Sequence, residues 1–121
     1  MTKICTDVEQ SNKLIELGID VNTADMCYHF IEINKTPLCI RWEKVHDDEK
    51  DNSLPAWSLA ALLGIIPFGQ VNRMTNSNKW EASSWKNSNF VSEYYVEGFD
   101  TPIDACVAMI EKLHEFKLLL L

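Results

Sequence analysis

The thirteen residues Pro55–Pro67, PAWSLAALLGIIP, carry a single polar side chain, that of Ser58. A helix on a protein surface needs a wet face, and this stretch barely offers one, so it must be covered on more than one side. Pro55 suits the first turn of a helix, where its missing N–H has no helical partner to lose. Ser53 can cap, Gly64 can terminate, and Pro67 blocks extension. The spacing predicts a helix over 54–63, with Trp57, Ala60 and Ala61 on one side and Leu59, Leu62 and Leu63 on another. Spanning a bilayer takes about twenty apolar residues. The run Leu54–Phe68 has fifteen, two of them proline, so burial inside a water-soluble domain is expected and a membrane partner is not.

The chain can supply such a core. Its 121 residues fit one domain, and 46% apolar with 24% charged side chains is an ordinary globular balance. The net charge of −7 is uneven. Residues 1–54 hold six basic and eleven acidic side chains, residues 70–89 three and one, and residues 90–121 two and six. An acidic chain repels phosphate backbones at long range, so no nucleic-acid partner is expected. The four cysteines, Cys5, Cys27, Cys39 and Cys106, form no C-x-x-C pair. They read as free, mostly buried thiols in a reducing cytoplasm.

Local signals order the remaining elements. Thr6 followed by Glu9 forms a capping-box pattern, and Gly18 offers a left-handed stop, so a helix is expected over 7–17. Met26–Ile33 alternates and is rich in strand-forming types. A turn at Asn34–Pro37 and a short strand Leu38–Trp42 complete a hairpin over 26–44, followed by a charged loop, Glu43–Ser53. Residues 79–86 and 90–97 form a second hairpin around Asn87–Asn89, and Phe68–Met74 can add a short strand. Thr101, Pro102 and Asp104 open a last helix whose stripe Ile103, Cys106, Val107, Ile110 and Leu113 recurs at three and four. The expected fold is α+β: an antiparallel sheet of four to five strands from two hairpins, packed with three helices in the order α-β-β-α-β-β-α, as one domain over 1–121. The 54–63 helix is expected to lie between the sheet and the last helix.

Three stretches together, VEQSNKLIELGIDVNTADM (Val8–Met26), PAWSLAALLGIIP (Pro55–Pro67) and TPIDACVAMIEKLHE (Thr101–Glu115), resemble a family of small uncharacterised proteins from gut Bacteroidetes and their prophages. The resemblance implies a bacterial cytoplasmic protein, with a phage origin as one reading. It implies no catalytic residue.

Candidate chemistry is sparse. His46–Asp51, HDDEKD, is the densest acidic cluster, but it lacks the glycine and spacing of a calcium loop and reads as a solvated charge run. Cys27 and His29 share a strand face by period two, yet sit about 6.5–7 Å apart at the backbone with no third group to orient the imidazole. His114 falls near a helix C-terminus, where a cation is favoured. No glycine-rich phosphate loop and no G-x-S-x-G elbow is present. No cofactor or metal is therefore expected. Trp80 and Trp85, with Arg73, Lys79 and Lys86 near them, make an aromatic and basic patch, although alternation directs the two indoles to opposite faces. With Trp57 from the apolar run, the expected interaction surface comprises Trp57, Trp80, Trp85, Arg73 and Lys86. The leading functional reading is a small non-enzymatic interaction protein, able to self-associate through apolar helix surface or a sheet edge, its partner a protein or a second copy. The alternatives are an acidic, DNA-mimicking inhibitor of a host protein and, behind it, an enzyme using Cys27 and His29.

Overall fold

In the computed structural model, residues 3–30, 37–41, 53–85, 92–117 and 119 are described. Helix α1 (Val8–Glu16) begins one residue later than the Thr6 pattern implies. Asp7 is the cap: its Oδ1 accepts from the Gln10 amide at 2.7 Å, and Gln10 Oε1 accepts from the Asp7 amide at 3.0 Å. Thr6 is not free to cap because its hydroxyl is committed elsewhere. It lies 2.7 Å from the Ser11 hydroxyl and accepts from the Trp57 amide at 3.1 Å, all in the interior. The helix ends as its glycine requires. Gly18 takes φ 91°, its N–H reaches the Ile15 carbonyl, and the Ile19 N–H reaches the Leu14 carbonyl, which is the paired closure of a Schellman motif.

A 3-10 turn at Val21–Thr23 leads into strand β1 (Met26–Phe30). It pairs antiparallel with β2 (Pro37–Arg41) on one side and β3 (Ser53–Ala56) on the other. The third strand corrects the expected helix over 54–63. Pro55 lies opposite Cys27 in the ladder, and proline is tolerated there because β3 is an edge strand of the β2-β1-β3 sheet. The apolar run is a strand joined to a short helix, α2 (Leu59–Ile65). Its cap is Ser58 rather than Ser53: the Ser58 hydroxyl accepts from the Ala61 amide, and Asp25 accepts from both the amide and the hydroxyl of Ser58. Trp57, at the junction, is fully buried. This accounts for part of the missing wet face, since Pro55 and Ala56 take sheet neighbours and only Leu59–Ile65 are helical.

Strands β4 (Gly69–Arg73), β5 (Trp80–Trp85) and β6 (Ser92–Phe99) form a second antiparallel sheet in that order. The described residues thus carry two sheets of three strands, where one sheet of four to five was expected. The observed order is α-β-β-β-α-β-β-β-α: β4 is the short strand offered at Phe68–Met74, and β3 is an addition to the expected elements. The class remains α+β. Helix α3 (Pro102–Glu115) has Thr101 as its cap, accepting from the Asp104 amide at 3.0 Å, and Pro102 in its first turn. Its stripe Ile103, Cys106, Val107, Ile110 and Leu113 is buried as the spacing required. It lies across β4, β5 and β6 and also meets α2 and α1. Leu14, Trp57, Leu62, Ala82 and Met109 complete the core beneath it. Truncating Ile110 to alanine is expected to cost about 2–5 kcal/mol, read as a lower midpoint in urea with an unchanged slope.

Candidate interaction surface

The five residues of the expected patch do not share a surface. Trp57 is sealed in the core, its Nε1–H donating to Thr23 Oγ1 at 2.9 Å. It therefore cannot serve as a contact residue on this chain, and that expectation is corrected. Trp80 is half-buried and packs against the core. It lies on β5 with Ala82 and Ser84, which alternate inward and are buried. Arg73, its cross-strand partner, is exposed. Trp85 ends β5 opposite Ser92; its side chain, like the whole of Lys86, lies outside the described residues. So do the acidic stretch His46–Asp51 and the side chain of His29.

The described cysteines offer no nucleophile. Cys5, Cys27 and Cys106 are buried, and burial pushes the Cys106 thiol up to about 12. Cys27 is fully buried, out of reach of any substrate that would need it as a thiolate. Among the described residues no group of three or more histidine, cysteine, aspartate or glutamate side chains could hold a metal. Nor is any helix among them long and apolar enough to cross a membrane. His114 lies in the last turn of α3.

The feature that sequence reasoning missed is the turn after α2. The Gly69 amide donates to the Ile66 carbonyl at 3.0 Å, with Pro67 second in the turn and Phe68 third. Phe68 adopts φ 48°, the left-handed region that costs a side chain with a Cβ about 1–2 kcal/mol and that glycine fills in turns of this pattern. The register is fixed from both sides. Ser84 Oγ donates to the Pro67 carbonyl at 2.7 Å, and a Cβ on Gly69 would come within 2.8 Å of Ile66 Cβ, so only glycine fits there. Phe68 is held outward with 60% of its surface exposed. Proline and glycine flanking one residue between a helix and a strand was the available signal.

Phe68 continues an uncharged surface. No charged side chain occurs from residue 52 to residue 72. On α2, Leu62 is buried and Leu59, Ala61, Leu63 and Ile65 pack partly on the core, whereas Ala60 and Gly64 are exposed. A Cβ on Gly64 would meet nothing within 4 Å. Ala60 and Gly64 share an outward face of α2, and Pro67 and Phe68 are exposed in the turn that follows it.

Two clefts elsewhere are acidic. A cleft of about 820 Å³ between α1 and α3 is lined by Glu9, Glu16 and Glu111, with Lys13 as its one cation among the described residues. A smaller one of about 340 Å³, at the β6–α3 corner, includes Asp100 and Asp104. Asp104 is internally satisfied: Lys3 Nζ and Gln10 Nε2 each donate to its Oδ1 at 2.7 Å. Partial burial pushes its carboxyl up, but the hydrogen bonds from Lys3, Gln10 and Thr101 and the Lys3 charge outweigh that and hold it below its ordinary value. A carboxyl depressed in the folded state contributes stability that is complete above its unfolded pKa and is lost as pH falls through the folded value. Asp104→Asn is therefore expected to lower stability by about 1 kcal/mol at neutral pH. The difference from the parent should vanish below the ordinary aspartate range, which urea melts at several pH values would read. On the outer face of the second sheet, the cross-strand pair Glu81 and Glu97 is bridged by the Tyr95 hydroxyl, 2.6 Å from an oxygen of each. The hydrogen bond to Glu81, then that to Glu97, pushes the phenol well above its ordinary value.

Comparison with protein-family models, curated proteins and solved structures returned no match to this chain.

Proposed function

We propose that this chain is a small interaction protein without a catalytic role, which associates with a second copy of itself through the outward stripe of α2 and the turn Ile66–Gly69. The observation that carries the reading is Phe68: a large ring in a backbone conformation that disfavours it, mostly exposed, beside helix surface bare of charge. Exposed apolar surface without a folding role is characteristic of contact sites, and strained residues concentrate where function requires them. The small side chains at Ala60 and Gly64 leave room for close approach. Buried cysteine side chains suit a reducing compartment, so we place the protein in the cytoplasm. The resemblance to the prophage-encoded family is consistent with a bacterial setting.

Sedimentation velocity over a wide concentration range tests the reading, with Phe68→Gly as the variant. Glycine relieves the left-handed strain but adds unfolded-state entropy, so the variant's stability should be unchanged or higher by up to about 1 kcal/mol. The parent is expected to sediment faster as concentration rises, and the variant to remain monomeric. A parent that stays monomeric throughout, or a variant that associates equally well, refutes self-association through this surface.

A further inference from the structure

The hairpin joining β4 to β5 holds a second feature, at the opposite end of β4 from Phe68. Arg73 donates from Nε to the Ser77 carbonyl at 3.2 Å and from Nη2 to Asn78 Oδ1 at 2.8 Å. Both acceptors are neutral. In a chain with eighteen acidic and eleven basic side chains, an arginine would readily find a carboxylate, yet no described carboxylate forms an ion pair with this one. Its neighbour Lys79 is paired with Asp100. Three of the five N–H donors of the guanidinium remain unused by described residues, and its plane is already fixed. A cleft of about 490 Å³ lies beside it, lined by Arg73, Met74, Asn76, Ser77 and Asn78, with no acid among them. The loop closes on itself through Met74 N–H to the Lys79 carbonyl, Ser77 N–H to the Met74 carbonyl and Lys79 N–H to Ser77 Oγ. The backbone N–H groups of Thr75, Asn76 and Asn78 make no hydrogen bond with any described residue, and Asn76 is left-handed at φ 60°.

We infer that this hairpin tip binds a carboxylate group presented by a partner polypeptide. A guanidinium fork matches a carboxylate with two parallel hydrogen bonds, and the free amides and asparagine side chains provide further donors. The cleft is shallow and open to solvent, so a carboxylate on a partner chain can reach the guanidinium. The net charge of −7 opposes a phosphate dianion more than a single carboxylate, so the carboxylate is favoured. The group can be a chain terminus or an aspartate or glutamate side chain. This inference does not depend on self-association and would stand if Phe68 proved inert.

The test is an amide and arginine-Nε NMR titration of the full chain at constant ionic strength. The probes are N-acetyl-Gly-Ala-Ala with a free carboxylate, N-acetyl-Gly-Asp-Ala amide, the uncharged N-acetyl-Gly-Ala-Ala amide, and inorganic phosphate. Saturable shifts confined to residues 73–79 are expected with one or both carboxylate peptides, and whichever binds tighter identifies the source. Arg73→Gln should weaken that binding about tenfold, and Arg73→Lys, which keeps the charge but not the fork, should fall between. The buried Trp57 indole resonance reports folding in each variant. The inference is overturned if neither carboxylate peptide saturates, if the uncharged amide gives the same shifts, if both Arg73 variants bind like the parent, or if phosphate binds tighter than both peptides.

Discussion

Trp57→Ala is expected to destabilise the protein by about 3–5 kcal/mol, a large share of the 5–15 kcal/mol that holds a typical domain together. The indole is fully buried where the end of β3, the start of α2 and the N-terminal segment meet. Truncation opens a cavity among core residues that α2 and α3 hold apart, and that cavity accounts for most of the loss. It also removes the Nε1–H donor to Thr23 Oγ1, although Thr23 is exposed and water can replace that partner. Trp57→Phe should lose less, since most of the apolar volume is kept. Urea melts followed by far-ultraviolet circular dichroism would separate the two. If Trp57→Ala melts within 1 kcal/mol of the parent (a limit set by what such melts resolve), the residue is not where the fold places it.

Thr6→Val is expected to cost about 2–4 kcal/mol, although it is nearly isosteric, because buried groups left unpaired each cost about 1–3 kcal/mol. The Thr6 hydroxyl accepts from the Trp57 amide and shares a hydrogen bond with Ser11. In the reverse direction the Thr6 amide donates to the Trp57 carbonyl at 2.9 Å, and the Tyr28 hydroxyl donates to the Thr6 carbonyl at 2.8 Å. Valine keeps the backbone bonds and loses both side-chain ones, at a position closed to solvent. Thr6→Ser, which retains the hydroxyl, should cost only about 1 kcal/mol for the lost methyl. Equal losses in the two variants would show that packing, and not the hydroxyl, is what Thr6 supplies.

These two residues also show where sequence reasoning succeeds and where it stops. Helix α3 is legible from one end to the other because cap, first-turn proline and apolar stripe are all local and agree. The stop at Gly18 is legible for the same reason. The start of α1 differs from expectation by one residue, since Thr6 and Asp7 are both good caps and only the distant Trp57 amide decides between them. The Pro55–Pro67 stretch misleads because a short apolar run has no period to separate strand from helix, and Pro55 fits a first helical turn as well as a sheet edge. Strand partners are non-local, so nothing in the hairpins announces two sheets in place of one. Of the residues expected to form a patch, Arg73 is exposed and Trp57 is sealed in the core. Trp57 resembles a contact residue because large aromatics are common at interfaces, while burial is decided by the tertiary fold. The sequence marks Phe68 only by its flanking Pro67 and Gly69; its left-handed backbone and its exposure are visible in the fold alone.

A dilution series of amide spectra from millimolar to low micromolar protein tests the central claim most directly. Self-association through α2 and its turn predicts that the amides of Ala60, Leu63, Gly64 and Phe68 move with concentration while the Trp57 indole does not. Spectra that superimpose at every concentration, or shifts confined to the acidic α1–α3 cleft or the outer sheet face, would contradict it.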